Sequence, residues 1–98
     1  MTTKHFGGCL CGATRYEISG PQEFTIQCYC RDCQQISGGG NLPLYVVKSV
    51  DFSLTGPVKK HGRKSETGND LELSFCEQCG SPICNTNSKL ADKVFVMA

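Results

Sequence analysis

The stretch "CEQCG", residues 76–80, holds two cysteines separated by two residues and ends in glycine. An upstream stretch, "CLCG" at 9–12, likewise has two close cysteines followed by glycine. Glycine at that position allows positive φ, so that backbone N–H groups can point at thiolate sulfur. Structural zinc commonly binds two such pairs from distant parts of a chain. The two stretches therefore predict one structural zinc site with the ligands Cys9, Cys11, Cys76 and Cys79.

A further group of cysteines lies in "CYCRDC", residues 28–33. We call Cys28, Cys30 and Cys33 the cysteine triplet, and no second pair remains to complete it. Three protein ligands and one remaining position are typical of a catalytic zinc, whose fourth ligand is water or substrate. Such an ion binds an incoming thiol as a thiolate and can polarise a carbonyl. The triplet predicts a second, open zinc, so that the chain holds two zinc ions, and a substrate that combines a thiol with a small carbonyl.

Other ligands could close this second site and make it structural. Cys84 is the main alternative, although a lone cysteine in "SPICN" is more often a small buried apolar residue. His5 and His61 are weaker alternatives, since neither lies at ligand spacing from the triplet. An iron–sulfur cluster is a further alternative, but it usually needs longer cysteine runs.

Eight cysteines in 98 residues would also suit a disulfide framework. The start of the chain, "MTTKHFGGCL", lacks the apolar run of a secretory signal, so we expect a cytoplasmic protein with reduced thiols. The longest apolar stretch, residues 42–47, is too short to span a bilayer. With a net charge of +1, the chain also lacks the basic field that binds nucleic acid. We therefore expect a small-molecule thiol as partner, and neither membrane nor nucleic acid.

Short alternating runs separated by turn residues predict a mostly β fold, in one small zinc-stapled domain over residues 1–98. The predicted strands are "ATRYEIS" (13–19), "FTIQC" (24–28), "DFSLT" (51–55), "LELSF" (71–75) and "VFVM" (94–97), and a strand is also expected in "SPICN" (81–85). One short helix is predicted in "RDCQQIS", residues 31–37. Residues 62–70 are polar and glycine-bounded, which predicts a mobile hairpin loop.

A basic cluster lies next to this predicted loop, and we define it as Lys59, Lys60, His61, Arg63 and Lys64. The simpler interpretation is the solvated end of a hairpin. The functional interpretation is a local anchor for the carboxylates of a small anionic thiol.

The segments "GGCLCGATRYEISG" (7–20), "CYCRDCQQISGG" (28–39) and "FCEQCGSPI" (75–83) together resemble the glutathione-dependent formaldehyde-activating enzyme family, which includes centromere protein V. The resemblance implies a β-tent fold, shared with Rab-binding guanine-nucleotide-release chaperones. It implies a structural zinc on the four paired cysteines and a second zinc on the triplet. It also implies a carbon–sulfur lyase activity that interconverts formaldehyde plus glutathione with S-hydroxymethylglutathione.

The chain departs from many relatives at two positions beside the triplet. Tyr29 replaces a histidine, and Gln34 replaces a basic residue. Family members usually continue past a strand like "KVFVMA", residues 93–98, with a segment that helps to wall the site, so we expect a short member or a fragment. The alternative function is a non-catalytic zinc-binding module for protein interaction, in which both zinc ions are structural.

Overall fold

The computed structural model describes residues 4–65 and 68–97, which form nine strands and one α-helix. The elements are β1 (Lys4–Gly8), β2 (Arg15–Ser19), β3 (Phe24–Cys28), α1 (Arg31–Ser37), β4 (Leu42–Lys48), β5 (Phe52–Thr55), β6 (Val58–Lys64), β7 (Asp70–Cys76), β8 (Pro82–Asn87) and β9 (Lys93–Met97). In these parts of the chain, no helix has the length and apolar character needed to cross a membrane.

The strands form two antiparallel sheets. The smaller has the order β1-β2-β5, and the larger has the order β3-β4-β9-β8-β7-β6. The predicted mostly β fold is confirmed. The larger sheet brings β3, which leads into the cysteine triplet, into the same layer as β7, which ends in Cys76.

The larger sheet has an apolar layer on each face, because β9 carries apolar residues at every described position after Lys93. On one face, Val94 and Val96 pack with Ile18 of the smaller sheet in the first apolar layer. On the other face, Phe95 packs with Leu44 and other residues in a second apolar layer that includes part of α1. The first layer includes Cys9, Cys76 and the half-buried Cys79, and the second includes Cys33 and the half-buried Cys28 of the triplet.

Most of the predicted elements are confirmed, and the helix occupies the predicted residues 31–37. The predicted loop over 62–70 is wrong at both ends. Residues 62–64 belong to β6, and Asp70 begins β7. These strands pair along their whole length, from Val58 opposite Cys76 to Lys64 opposite Asp70. Residues 66 and 67, also in that predicted loop, lie outside the described part of the chain.

The basic cluster therefore runs along β6 up to Lys64, the last strand residue before the turn of the β6–β7 hairpin. Because β6 is an edge of the larger sheet, its side chains project from both faces of that edge. Three of the five form ion pairs with neighbouring acids: Lys60 with Glu72, Lys64 with Asp70, and Arg63 with Asp32 of α1.

Candidate metal centres

The first candidate centre is the four-cysteine group Cys9, Cys11, Cys76 and Cys79. The first two lie in the turn after β1, and the other two lie at the end of β7 and in the turn that follows. All four Sγ atoms lie within 4.8 Å of one another, with 3.5 Å between Cys9 and Cys11 and 3.7 Å between Cys11 and Cys76. A tetrahedral zinc with Zn–S bonds of about 2.3 Å separates its sulfurs by about 3.8 Å. The donor atoms and their spacing therefore fit a zinc ion.

The glycines that follow each pair have the predicted backbone. Gly12 has φ of +82° and Gly80 has φ of +77°, a region that other residues rarely adopt. In the first turn, the N–H of Thr14 donates to Cys9 Sγ at 3.3 Å. The turn thus presents a backbone donor to a sulfur, as the glycine spacing predicted.

Ser81 links the two halves of this group, and sequence reasoning missed it. Its Oγ accepts a hydrogen bond from the Leu10 N–H at 3.1 Å and lies 3.1 Å from Cys79 Sγ. The hydroxyl proton can therefore be donated to the sulfur, which lowers the pKa of Cys79 to about 5. Its position directly after the second glycine, in "CGS", is the only sequence signal.

The pKa values of the other thiols reflect their mutual proximity. Burial raises the pKa of Cys9, but the Thr14 N–H and the thiols of Cys11 and Cys76 outweigh it and lower the value to about 7. A backbone N–H at Ala13 lowers the pKa of Cys11, yet the adjacent sulfurs raise it to about 12. The thiolate form is therefore favoured at Cys9 and Cys79 and disfavoured at Cys11. A cation at the centre of the group removes this conflict.

The second candidate centre is the cysteine triplet. Cys28 ends β3, Cys30 is the N-cap of α1, and Cys33 lies in the first helical turn. Their Sγ atoms lie within 4.8 Å of one another, with 3.3 Å between Cys28 and Cys30. The capping sulfur of Cys30 accepts the Cys33 N–H at 3.4 Å, and this bond lowers the pKa of Cys30. Burial raises the pKa of Cys33, the innermost of the three. This group could also hold a metal ion.

In the described parts of the chain, no further cysteine, histidine or carboxylate joins the triplet. Cys84 is 3% exposed and packs in the first apolar layer, on the other side of the sheet from the triplet. Burial raises the pKa of its thiol. His5 on β1 and His61 on β6 are exposed and belong to neither sulfur group. Cys84 thus matches the buried apolar residue expected from its sequence context.

The triplet borders a pocket of about 580 Å³ over the second apolar layer. The apolar part of its lining includes Ile26, Leu44 and Phe95, and polar residues include Arg63 and Asn85. Sequence reasoning singled out Arg63 only as one of five basic residues and did not identify Asn85. The available sequence signal was a polar residue directly after the apolar pair Ile83 and Cys84.

The sequence model for "Glutathione-dependent formaldehyde-activating enzyme" matches residues 4–98. The chain belongs to this family. The resemblance found from the three cysteine motifs is thereby confirmed. A crystal structure of a Rhodobacter sphaeroides protein has the same fold, with a TM-score of 0.74, 16% identity, and coverage of 95% of this chain and 84% of that one. No curated protein matches the chain.

In this member of the glutathione-dependent formaldehyde-activating enzyme family, Tyr29 and Gln34 are hydrogen-bonded to each other beside the triplet. The Gln34 side-chain amide donates to the Tyr29 carbonyl at 2.8 Å, between Cys28 and Cys30. The Tyr29 hydroxyl donates to Gln27 Oε1 at 2.7 Å on the surface. Gln34 therefore holds the loop that connects two of the three sulfurs.

Proposed function

We propose that both cysteine groups hold zinc and that the triplet centre is catalytic. Its substrates are a thiol such as glutathione and a small carbonyl such as formaldehyde. The observation that supports this best is the triplet itself: three clustered sulfurs border a pocket, and no fourth ligand joins them from the described residues. The family supports the same chemistry.

The reaction joins the thiol sulfur to the carbonyl carbon and moves the thiol proton to the carbonyl oxygen. It forms S-hydroxymethylglutathione without oxidation or reduction, and the reverse reaction is a carbon–sulfur lyase step. Zinc at the triplet supplies thiolate stabilisation and carbonyl polarisation when bound. The three cysteines would hold the ion, and the apolar side chains of the pocket lie beside it. Arg63 adds a positive charge that suits the carboxylates of the thiol.

The four-cysteine group serves the fold in this proposal. It joins the turn after β1 to the turn after β7, and four thiolates complete the tetrahedral coordination that structural zinc prefers. All eight cysteines are free thiols in the structure, which suits a reducing compartment such as the cytoplasm, where glutathione is also available.

The test measures the rate at which the zinc-loaded protein converts glutathione and formaldehyde, above the uncatalysed rate, by NMR exchange spectroscopy. We expect Cys30→Ser to abolish the enzymatic rate and to lose one zinc ion. Cys84→Ala, which removes a cysteine outside both groups, should retain both ions and most of the rate. Turnover that survives Cys30→Ser would contradict the proposal.

A non-catalytic interaction module is the second candidate, and the edge strand β6 favours it. Lys59, Lys60 and His61 are exposed there, at a free edge of the larger sheet. In that case neither glutathione nor formaldehyde would be converted, while charge reversal on β6 would abolish binding to an acidic partner.

A further inference from the structure

Two buried polar atoms in residues that line the triplet pocket have no hydrogen-bond partner among the described residues. They are Nη1 of Arg63 and Oδ1 of Asn85. Asn85 is only 9% exposed, and the Arg63 side chain is 20% exposed. Buried donors and acceptors are normally paired, because an unpaired one forfeits its bonds to water. Two such atoms beside one pocket indicate a ligand that supplies their partners.

The chemistry of the two atoms specifies that ligand. A guanidinium can only donate hydrogen bonds, and the Arg63 Nε already donates to Asp32 at 3.0 Å. This ion pair fixes the orientation of the guanidinium and leaves Nη1 for another acceptor. The Asn85 Oδ1 can only accept. The pocket wall therefore offers one charged donor and one neutral acceptor.

Strand register places Asn85 on the triplet side of the sheet. Asn85 lies opposite Phe95, and residues directly opposite in an antiparallel pair share a face. Phe95 packs in the second apolar layer, with Cys33 and Leu44. The amide of Asn85 therefore belongs to the same face as the sulfur of the triplet's innermost cysteine.

Two lysines of the basic cluster, Lys60 and Lys64, are less suited to this role. Lys60 and Arg63 are three residues apart on β6. Because side chains alternate along a strand, these two point to opposite faces of the sheet. Lys64 borders the pocket, but its ammonium is paired with Asp70, and the two side chains are 71% and 73% exposed. Arg63 is thus the cation of this cluster that combines burial with a pocket position.

We propose that Arg63 and Asn85 are positioning residues that bind the peptide part of a thiol substrate whose sulfur lies at the triplet. Arg63 donates to a carboxylate or amide oxygen, and Asn85 accepts an amide or ammonium N–H. The site thereby prefers peptide-type thiols to simple alkyl thiols, which carry neither group. The pocket of about 580 Å³ lies within the range of small-molecule sites. This proposal rests on the proposed function of the triplet.

The test titrates the cobalt-substituted protein with glutathione and with 2-mercaptoethanol, following the cobalt absorption that responds to thiolate binding. Arg63→Gln and Asn85→Leu should each weaken glutathione binding about tenfold or more, the effect of one hydrogen bond to a charged or buried group. Binding of 2-mercaptoethanol should not change. Lys60→Gln, the matched control on the same strand, should leave both affinities as they are.

Two results would overturn the proposal. One is an equal loss for both thiols in Arg63→Gln or Asn85→Leu, which indicates damage to the triplet. The other is an unchanged glutathione preference in both Arg63→Gln and Asn85→Leu, since the peptide part of the thiol would then bind elsewhere. If the wild-type protein binds both thiols without preference, the proposed role of Arg63 and Asn85 is wrong, while the proposed function of the triplet is retained. If neither thiol changes the cobalt spectrum, the proposed function itself fails.

Discussion

At the scale of single residues, Ser81 connects the two halves of the four-cysteine group. Its hydroxyl accepts from Leu10 and lies within hydrogen-bond distance of the Cys79 sulfur, whose pKa it lowers. We predict that Ser81→Ala weakens zinc retention about tenfold, because Cys79 loses a donor to its thiolate. Competition with a chromophoric chelator measures this loss.

The matched control is Ser37→Ala, which removes an exposed hydroxyl at the end of α1. Its zinc retention should equal that of the wild-type protein. Equal retention in Ser81→Ala would mean that the hydroxyl does not support the four-cysteine group.

At the scale of elements, the Gly56-Pro57 turn between β5 and β6 lies against the first cysteine turn. The Pro57 carbonyl accepts both the Thr14 hydroxyl at 2.8 Å and the Glu77 N–H at 3.0 Å, so it joins the two cysteine turns. Gly56 has φ of +103°, and a Cβ there would collide with the Ala13 carbonyl and lie 2.8 Å from the Thr14 Cα. This close approach requires glycine.

We predict that Gly56→Ala lowers the free energy of unfolding by about 3 kcal/mol, from backbone strain and overpacking together. Chemical denaturation of the zinc-loaded protein measures the change. Gly62→Ala is the control, because the nearest atom to its Cβ would be the Leu71 carbonyl oxygen at 3.9 Å. We expect Gly62→Ala to change the free energy by less than about 1 kcal/mol. Similar losses in both variants would contradict the role of the turn.

The ion pair between Glu23 and Lys93 ties the start of β3 to the start of β9 across β4. The Lys93 ammonium lies 2.7 Å from the Glu23 carboxylate and lowers the pKa of Glu23 below its ordinary 4.5. A depressed folded-state pKa stabilises the fold above pH 4.5, and this contribution disappears as the pH falls through the lower value. We predict that Glu23→Gln lowers the melting temperature at neutral pH.

The difference in melting temperature from wild type should shrink as the solution is acidified through the pKa of Glu23. Asp70→Asn serves as control, since its pair with Lys64 is solvent-exposed and should contribute little. A difference that stays constant down to low pH would assign the effect of Glu23→Gln to packing and not to charge.

Sequence patterns predicted the helix and those strands that carry a local signal in or next to their own residues. The helix over residues 31–37 has three glycines after it, and β3 alternates toward Cys28. Three strands escaped prediction: β1, β4 and β6. The apolar run that forms β4 was considered only as a possible membrane span. The other two, β1 and β6, end in two glycines and carry a glycine in a polar run, respectively. These two are edge strands that form by pairing with β2 and β7, and such tertiary pairing leaves no apolar pattern in the strand itself.

The grouping of the cysteines was predictable for a similar reason: paired spacing and a following glycine are local signals. The roles of Arg63 and Asn85 were not predictable, because both residues line one pocket only through the register of strands that are distant in sequence. Ser81 is a local residue, but its role depends on Leu10, 71 residues away.

At the scale of the whole molecule, the two cysteine groups should contribute differently to stability. The four-cysteine group joins residues near both ends of the chain, whereas the triplet lies within one short segment. Structural zinc sites in small proteins contribute on the order of 10 kcal/mol. We predict that Cys76→Ser largely unfolds the protein, and that Cys30→Ser releases one zinc ion while the fold remains.

Native mass spectrometry and circular dichroism measure the metal content and the folded state of these two variants. Cys84→Ala, which changes neither group, should keep both ions and a strand content like that of wild type. Comparable melting of Cys76→Ser and Cys30→Ser would contradict the different roles assigned to the two groups.

The central claim is that four cysteines bind one metal ion and three cysteines bind the other. The most direct test is cadmium-113 NMR of the cadmium-substituted protein, because each site gives its own resonance. We predict one resonance at the position typical of four sulfur ligands and a second typical of three sulfurs with one lighter ligand. Glutathione should move only the second resonance, into the four-sulfur range. Two four-sulfur resonances before any thiol is added, or a second resonance that glutathione leaves in place, would contradict the account.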